Sequence, residues 1–88
     1  MSSRLQNFLD ELGRVKQWPS KRGVQIELIS YIANKFADGS KYTESEINNE
    51  LKKLHTFQDW ALLRRELCVL GYFSRDVNGH AYVRTDKR

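Results

Sequence analysis

Apolar residues recur along this chain at spacings of three and four, and only near its end do they alternate with polar ones. The first spacing puts side chains on one face of a helix, and alternation belongs to a strand. Leu5, Phe8, Leu9, Leu12 and Val15 predict a first helix from about Arg4 to Lys16, capped by Ser2 or Ser3. Gly13 weakens it and Trp18-Pro19 ends it, because the residue before a proline is pushed out of the helical region. Val24, Leu28, Ile29, Ile32 and Phe36 form the stripe of a second helix. Ser20 is its expected cap, and Asp38-Gly39 its stop after about Ala37.

The third helix has a defined start. Thr43 and Glu46 have the spacing of a capping box, in which each side chain satisfies the other residue's backbone N–H. Ile47, Leu51 and Leu54 follow as a narrow stripe. Thr56 and Asp59 repeat the start signal a few residues later, around His55, and open a fourth helix that Gly71 ends. Two short helices joined so tightly resemble a helix-turn-helix. "YFSRDVNGHAYVR" then gives two β-rich runs around Asn78-Gly79, a tight-turn signal. Helices followed by a terminal hairpin are in the order of a winged helix, with the hairpin as wing.

Within the fourth helix, a wheel at about 100° per residue puts Trp60, Leu63, Leu67 and Leu70 on a core-facing side. Arg64 flanks that side, where it can pair with a carboxylate such as Glu46 or Glu50 of the preceding helix. Arg65 points the other way, with Gln58, Leu62 and Val69. Arg to guanine and Gln to adenine are common pairings for an outward recognition face. Asp59 and Glu66 edge that face, however, and negative charge there opposes phosphate. Leu62 and Val69 outward instead suggest packing against another element or another chain.

Charge adds a direction. The 88 residues carry net charge +4, with six Lys/Arg against three acids in 1–37, three against five in 38–59, and six against three in 60–88. The basic ends allow nucleic acid as a partner without requiring it. "RVKQWPSKR", with Arg14, Lys16, Lys21 and Arg22, is either a solvated connection or a phosphate-contacting patch. Arg75 and His80 flank the tip of the expected wing, with Asp76 between them.

Catalytic chemistry has little to stand on. His55 and His80 are both expected at the surface, in or beside turns, without carboxylate or cysteine at ligand spacing. Cys68 is the single cysteine, which excludes an internal disulfide and a thiolate zinc cluster, and its place inside a helix suggests a small packed residue. No phosphate loop, nucleophile elbow or HExxH stands in the chain. No catalytic residue, metal or cofactor is expected, and the protein is read as a non-enzyme. Mean hydropathy of −0.66 and the lack of a continuous apolar run argue against a membrane segment. The first residues lack the greasy core of a signal peptide, so a cytoplasmic location is expected.

The segments "PSKR", "YTESEINNEL", "DWALLRREL", "GYFSR" and "NGHAY", spread over roughly Trp18 to Arg84, together resemble the bacterial domain-of-unknown-function family 2087, DUF2087. The family's matching positions here are Tyr42, Thr43, Glu44, Asp59, Leu63, Arg64, Arg65, Gly71 and Arg75. Asn78-Gly79 replaces the Asp-Gly often found in the family's hairpin, a neutral exchange for a tight turn. The resemblance implies a small bacterial protein, alone or fused behind a helix-turn-helix regulator, and hence an association with transcriptional regulation. The segment before the motif is expected to be too short for such a regulator domain.

The resulting expectation is a mainly α fold with a small β-hairpin, an α+β winged-helix-like helix-turn-helix domain. It is one domain over 1–88, with an N-terminal helix at 1–17, a winged-helix-like core at 18–84 and a disordered tail at 85–88. The leading function is a DNA-binding or transcription-associated module, with Gln58 and Arg65 at bases and Lys21, Arg22, Arg75 and Arg84 at phosphates. The alternative is a protein-interaction or dimerisation module that keeps the shape without binding DNA, and uses Leu62 and Val69. Expected partners are accordingly double-stranded DNA, or a second copy of the chain or another regulator protein, and no membrane.

Overall fold

The structure, a computed structural model, describes residues 3–37, 39–76 and 81–85, with the side chains of residues 3 and 4 left aside. The chain runs through a 3₁₀ helix (Ser3–Phe8), α1 (Arg22–Ala33), β1 (Lys41–Thr43), α2 (Glu44–Lys52), α3 (Trp60–Val69), β2 (Phe73–Arg75) and β3 (Ala81–Arg84). The three strands form one antiparallel sheet in the order β1-β3-β2. This is a compact α+β fold, and its order is compatible with a winged helix. The expected Ser2 or Ser3 cap, Asp38, the Asn78-Gly79 turn and His80 fall on residues or side chains outside the described set.

The first predicted helix ends early. After Phe8 the chain reverses: Asp10 Oδ1 accepts the backbone N–H groups of Leu12 and Arg14 at 2.9 and 2.8 Å, and Oδ2 accepts from Arg14 Nε at 2.8 Å. A short acidic side chain has thus captured amides that a helix would have used. Gly13 takes φ +79° at this turn, and Tyr31 Oη donates to its carbonyl at 2.8 Å. Leu12, a member of the predicted stripe, is 77% exposed at the tip, whereas Val15 is fully buried. Val15 runs beside the α2–α3 turn, where its N–H donates to the Leu54 carbonyl and its carbonyl accepts from Thr56.

α1 buries Val24, Leu28, Ile29, Ile32 and, just beyond its end, Phe36, as its stripe predicts. It is shorter than expected at both ends, with Lys21 rather than Ser20 at the N-cap and Asn34 at the C-cap. Phe36 then meets Tyr42 and Phe73 edge-on at 5.4 and 5.2 Å and joins the end of α1 to the sheet. The Thr43–Glu46 capping box of α2 is present with both of its hydrogen bonds. Gly71 ends α3 in a Schellman motif: it takes φ +87°, its N–H reaches the Cys68 carbonyl, and the Tyr72 N–H reaches that of Leu67.

Strand β1 has no counterpart among the predicted elements. It pairs with β3 in the register Lys41↔Val83, Tyr42↔Tyr82 and Thr43↔Ala81, while β2 pairs on the other side as Phe73↔Arg84, Ser74↔Val83 and Arg75↔Tyr82. Since side chains alternate across a sheet, Tyr42, Phe73, Tyr82 and Arg84 share the face that packs on the helices. Ile47, Leu51, Leu63 and Leu67, all buried, complete the core beneath them. Among the described residues no helix is long and apolar enough to cross a membrane.

Candidate functional site

The turn between α2 and α3 is held by a histidine. His55 is only 4% exposed; its Nδ1 lies 2.7 Å from the Leu51 carbonyl, and its Nε2 lies 2.9 Å from the Asp59 N–H. A carbonyl only accepts, so Nδ1 carries the proton and Nε2 accepts from Asp59, which is the neutral Nδ1–H tautomer. Phe57 stands edge-on to the ring at 4.7 Å. The expected surface histidine is instead the pin of the helix-helix turn: its Nε2 takes up the Asp59 N–H, and its Nδ1–H shares the Leu51 carbonyl with the Leu54 N–H.

Asp59, fixed in this way, caps α3 by accepting the Leu62 N–H on Oδ1 at 3.3 Å. Gln58, one residue earlier, lies outside the helix at φ +61°. The wheel that grouped it with Leu62 and Arg65 therefore does not extend to it. Gln58 lines a small cleft with Lys52, His55 and Trp60, whereas Arg65 lines a different groove between α3 and the sheet.

That groove has a volume of about 620 Å³. Leu62, Arg65 and Val69 line it together, as the wheel predicts, and Val69 is 65% exposed. Arg75 reaches it from β2 and Tyr82 from β3. Arg65 is exposed and makes no ion pair among the described residues. Arg75 is exposed as well, and the adjoining Tyr82 hydroxyl holds its pKa above the ordinary arginine value. Cys68 also lines the groove; burial raises its thiol pKa, against the opposing pull of the Arg75 and Arg64 charges.

Arg64 has the structural role foreseen for it, with other partners. Its Nη1 donates to Asn48 Oδ1 and lies 3.9 Å from Glu44 Oε2, both on α2, and its guanidinium is 6.0 Å from the Tyr82 ring centre. Neither Glu46, committed to the capping box, nor Glu50, which pairs with Lys53, is its partner. Arg22 is also taken up by the fold. Its Nη1 lies 2.9 Å from Glu66 Oε1 and ties α1 to α3. That oxygen is buried without hydrogen-bond geometry, so the contact is a charge pairing rather than a well-aligned bond. The Glu66 side chain is only 13% exposed. Of the two acids expected to oppose phosphate on the α3 face, Glu66 is turned inward and neutralised, whereas Asp59 stays exposed and lines the groove.

Arg84 departs furthest from expectation. It is 7% exposed, with Nε donating to the Ala33 carbonyl at 3.0 Å and Nη1 to those of Tyr72 and Thr85. A guanidinium spent on carbonyls inside the fold cannot reach a phosphate, so Arg84 leaves the phosphate set. Thr85, placed in the tail by the sequence, is likewise held: its hydroxyl donates to the Gly71 carbonyl at 2.8 Å. Lys21 remains exposed at the N-cap of α1. Of the six residues assigned to DNA, the groove gathers Arg65 and Arg75, Lys21 is exposed at the N-cap of α1, and Gln58, Arg22 and Arg84 are placed elsewhere or engaged.

The chain matches a family of uncharacterised proteins conserved in bacteria over residues 14–84, a span that holds α1, the helix pair, the sheet and both groove arginines. It belongs to the DUF2087 family. The 3₁₀ helix lies outside the matched span, while the buried Val15 and the pinned His55 lie within it. Comparison with curated proteins and with solved structures finds no match.

Proposed function

We propose that this DUF2087 protein is a non-enzymatic, duplex-DNA-binding module associated with transcription, with α3 and the hairpin as its nucleic-acid face. One observation supports this reading above the others: Arg65 and Arg75 line the same groove without ion-pair partners among the described residues, while Glu66 is neutralised by Arg22. The face is therefore more basic than the helix composition suggests. α3, ten residues and so roughly 15 Å long, has the dimensions of a helix that enters a major groove about 12 Å wide.

With Arg65 set at the backbone rather than at a base, three phosphate contacts, from Arg65, Arg75 and Lys21, give an expected slope of about −2.7 in log affinity against log salt. Affinity for a random duplex then falls roughly fortyfold between about 50 and 200 mM salt. Arg65→Ala should reduce the slope by about 0.9 and weaken binding. Absence of any duplex complex at low salt and tens of micromolar protein would refute the reading.

A second reading rests on the half-buried Leu62 and the 65% exposed Val69, an apolar pair on the same groove-lining face of α3. A protein-interaction module would self-associate or bind a partner through that pair. Sedimentation at high concentration tests it: a dimer lost in Val69→Asp, together with no duplex binding, favours this reading over the first.

A further inference from the structure

The α3–hairpin groove combines two surfaces that neither a bare phosphate nor a neutral apolar molecule would use in full. Ala61, Leu62 and Val69 supply apolar wall along α3, and the half-buried Cys68 lies between them and the sheet. Around it stand three guanidinium groups, Arg64, Arg65 and Arg75, against one lining carboxylate, Asp59, whose Oδ1 is already occupied by the Leu62 N–H. The volume, about 620 Å³, falls in the range of small-ligand sites.

We propose that this groove is a binding site for an organic carboxylate carrying an apolar chain, with the carboxylate between Arg75 and Arg65 and the chain along Leu62 and Val69. Charge complementarity selects the anion, because guanidinium pairs carboxylate oxygens with two parallel donors. The apolar wall selects the chain, and each further buried CH₂ strengthens binding about fourfold. Arg64 is the least available of the three, since Asn48 and Glu44 already hold it. Arg75 and Arg65 therefore carry the anion. The site does not depend on duplex binding, and its test contains no DNA, so either reading can fail without the other.

Cys68 is a built-in reporter, as the single thiol of the chain and part of the groove wall. The experiment follows its alkylation by iodoacetamide in the intact chain with hexanoate, octanoate or decanoate below their micelle-forming concentrations. Octanol and inorganic phosphate at matched ionic strength are the controls. The carboxylates should slow alkylation saturably, with affinity rising about fourfold per CH₂. The Arg65→Ala/Arg75→Ala double variant should bind octanoate at least about tenfold more weakly. Val69→Asp should flatten the chain-length dependence, with an unchanged melting curve as the control for folding in each variant. Equal protection by phosphate or by octanol would overturn the proposal, as would a flat chain-length series in the wild-type chain or undiminished protection in the folded double variant.

Discussion

Arg84 offers the sharpest separation between a residue that builds the fold and one that meets a partner. Its guanidinium lies between the end of α1 and the sheet, donating to the carbonyls of Ala33, Tyr72 and Thr85, with the Tyr72 ring 5.6 Å from its centre. Arg84→Met keeps an apolar stem over that ring and removes every donor. The Ala33 and Tyr72 carbonyls keep the Phe36 and Thr85 N–H groups, so the loss is that of hydrogen bonds to a charged donor, about 1.5–3 kcal/mol for a good one, and the 3.4 Å contact to Tyr72 counts for least. Against this, the buried guanidinium no longer has to be desolvated, which returns part of the loss. The net expectation is a destabilisation of about 2 kcal/mol, a large share of the roughly 4–13 kcal/mol available to a chain of this length. With a urea slope of about 1 kcal/mol/M, the unfolding midpoint should drop by about 2 M. Arg84→Lys should recover little, because one ammonium cannot fork between these carbonyls. Duplex affinity of the folded variant should be unchanged. A midpoint shift below about 0.5 M, combined with weakened duplex binding, would refute this placement of Arg84.

The other predictions concern the turns that position α3 and the N-terminal segment. His55→Phe leaves the Asp59 N–H without a partner, while the Leu51 carbonyl keeps the Leu54 N–H, and should cost about 1–3 kcal/mol; unchanged hydrogen-exchange protection of the Asp59 amide would show that the pin is not as described. Gly13→Ala and Gly39→Ala both put a side chain at positive φ, at about 1–2 kcal/mol each. Only at Gly13 does the new Cβ meet an atom, Tyr31 Oη at 3.0 Å, so Gly13→Ala should be the costlier, and equal melting-temperature losses would contradict the contact. Asp10 has its pKa lowered chiefly by the Arg14 backbone N–H. Its folded-state pKa lies below the unfolded value, so its contribution is complete above that value and is lost as pH falls through the folded one. The Leu12 and Arg14 amide resonances should therefore titrate with a midpoint below 3.8, and a midpoint at or above it would contradict the hydrogen bonds.

What could be read in the sequence was local and periodic. The capping box at Thr43, the α1 stripe and the Gly71 stop all lie within a few residues of the groups they act on, and each is present. The outward grouping of Leu62, Arg65 and Val69 also follows from helical spacing alone. The failures involve partners distant in sequence or a break in the backbone. β1 is three residues long, too short to alternate, and exists because β3 pairs with it. Arg84 and Ala33 are 51 residues apart, and nothing local marks the arginine as buried. The Arg22–Glu66 pair joins two helices whose packing no wheel contains. Gln58 fell off the wheel because its positive φ stops the helix one residue short of it. The first helix failed for a reason that was visible: "DELGR" places an aspartate where its carboxylate can hold amides two and four residues on, with a glycine free to turn between them.

The central claim is that α3 and the hairpin form the face that meets DNA, and amide chemical-shift mapping with a random duplex at low salt tests it most directly. The account predicts that shifts concentrate on the groove-lining positions Leu62, Arg65 and Val69 of α3 and on the phosphate-contacting Arg75 and Lys21, and fade as salt rises. They should leave the Asp10–Gly13 turn, at the N-terminal side of the molecule, unmoved. Shifts centred on that turn, or none at all at saturating duplex, would contradict it.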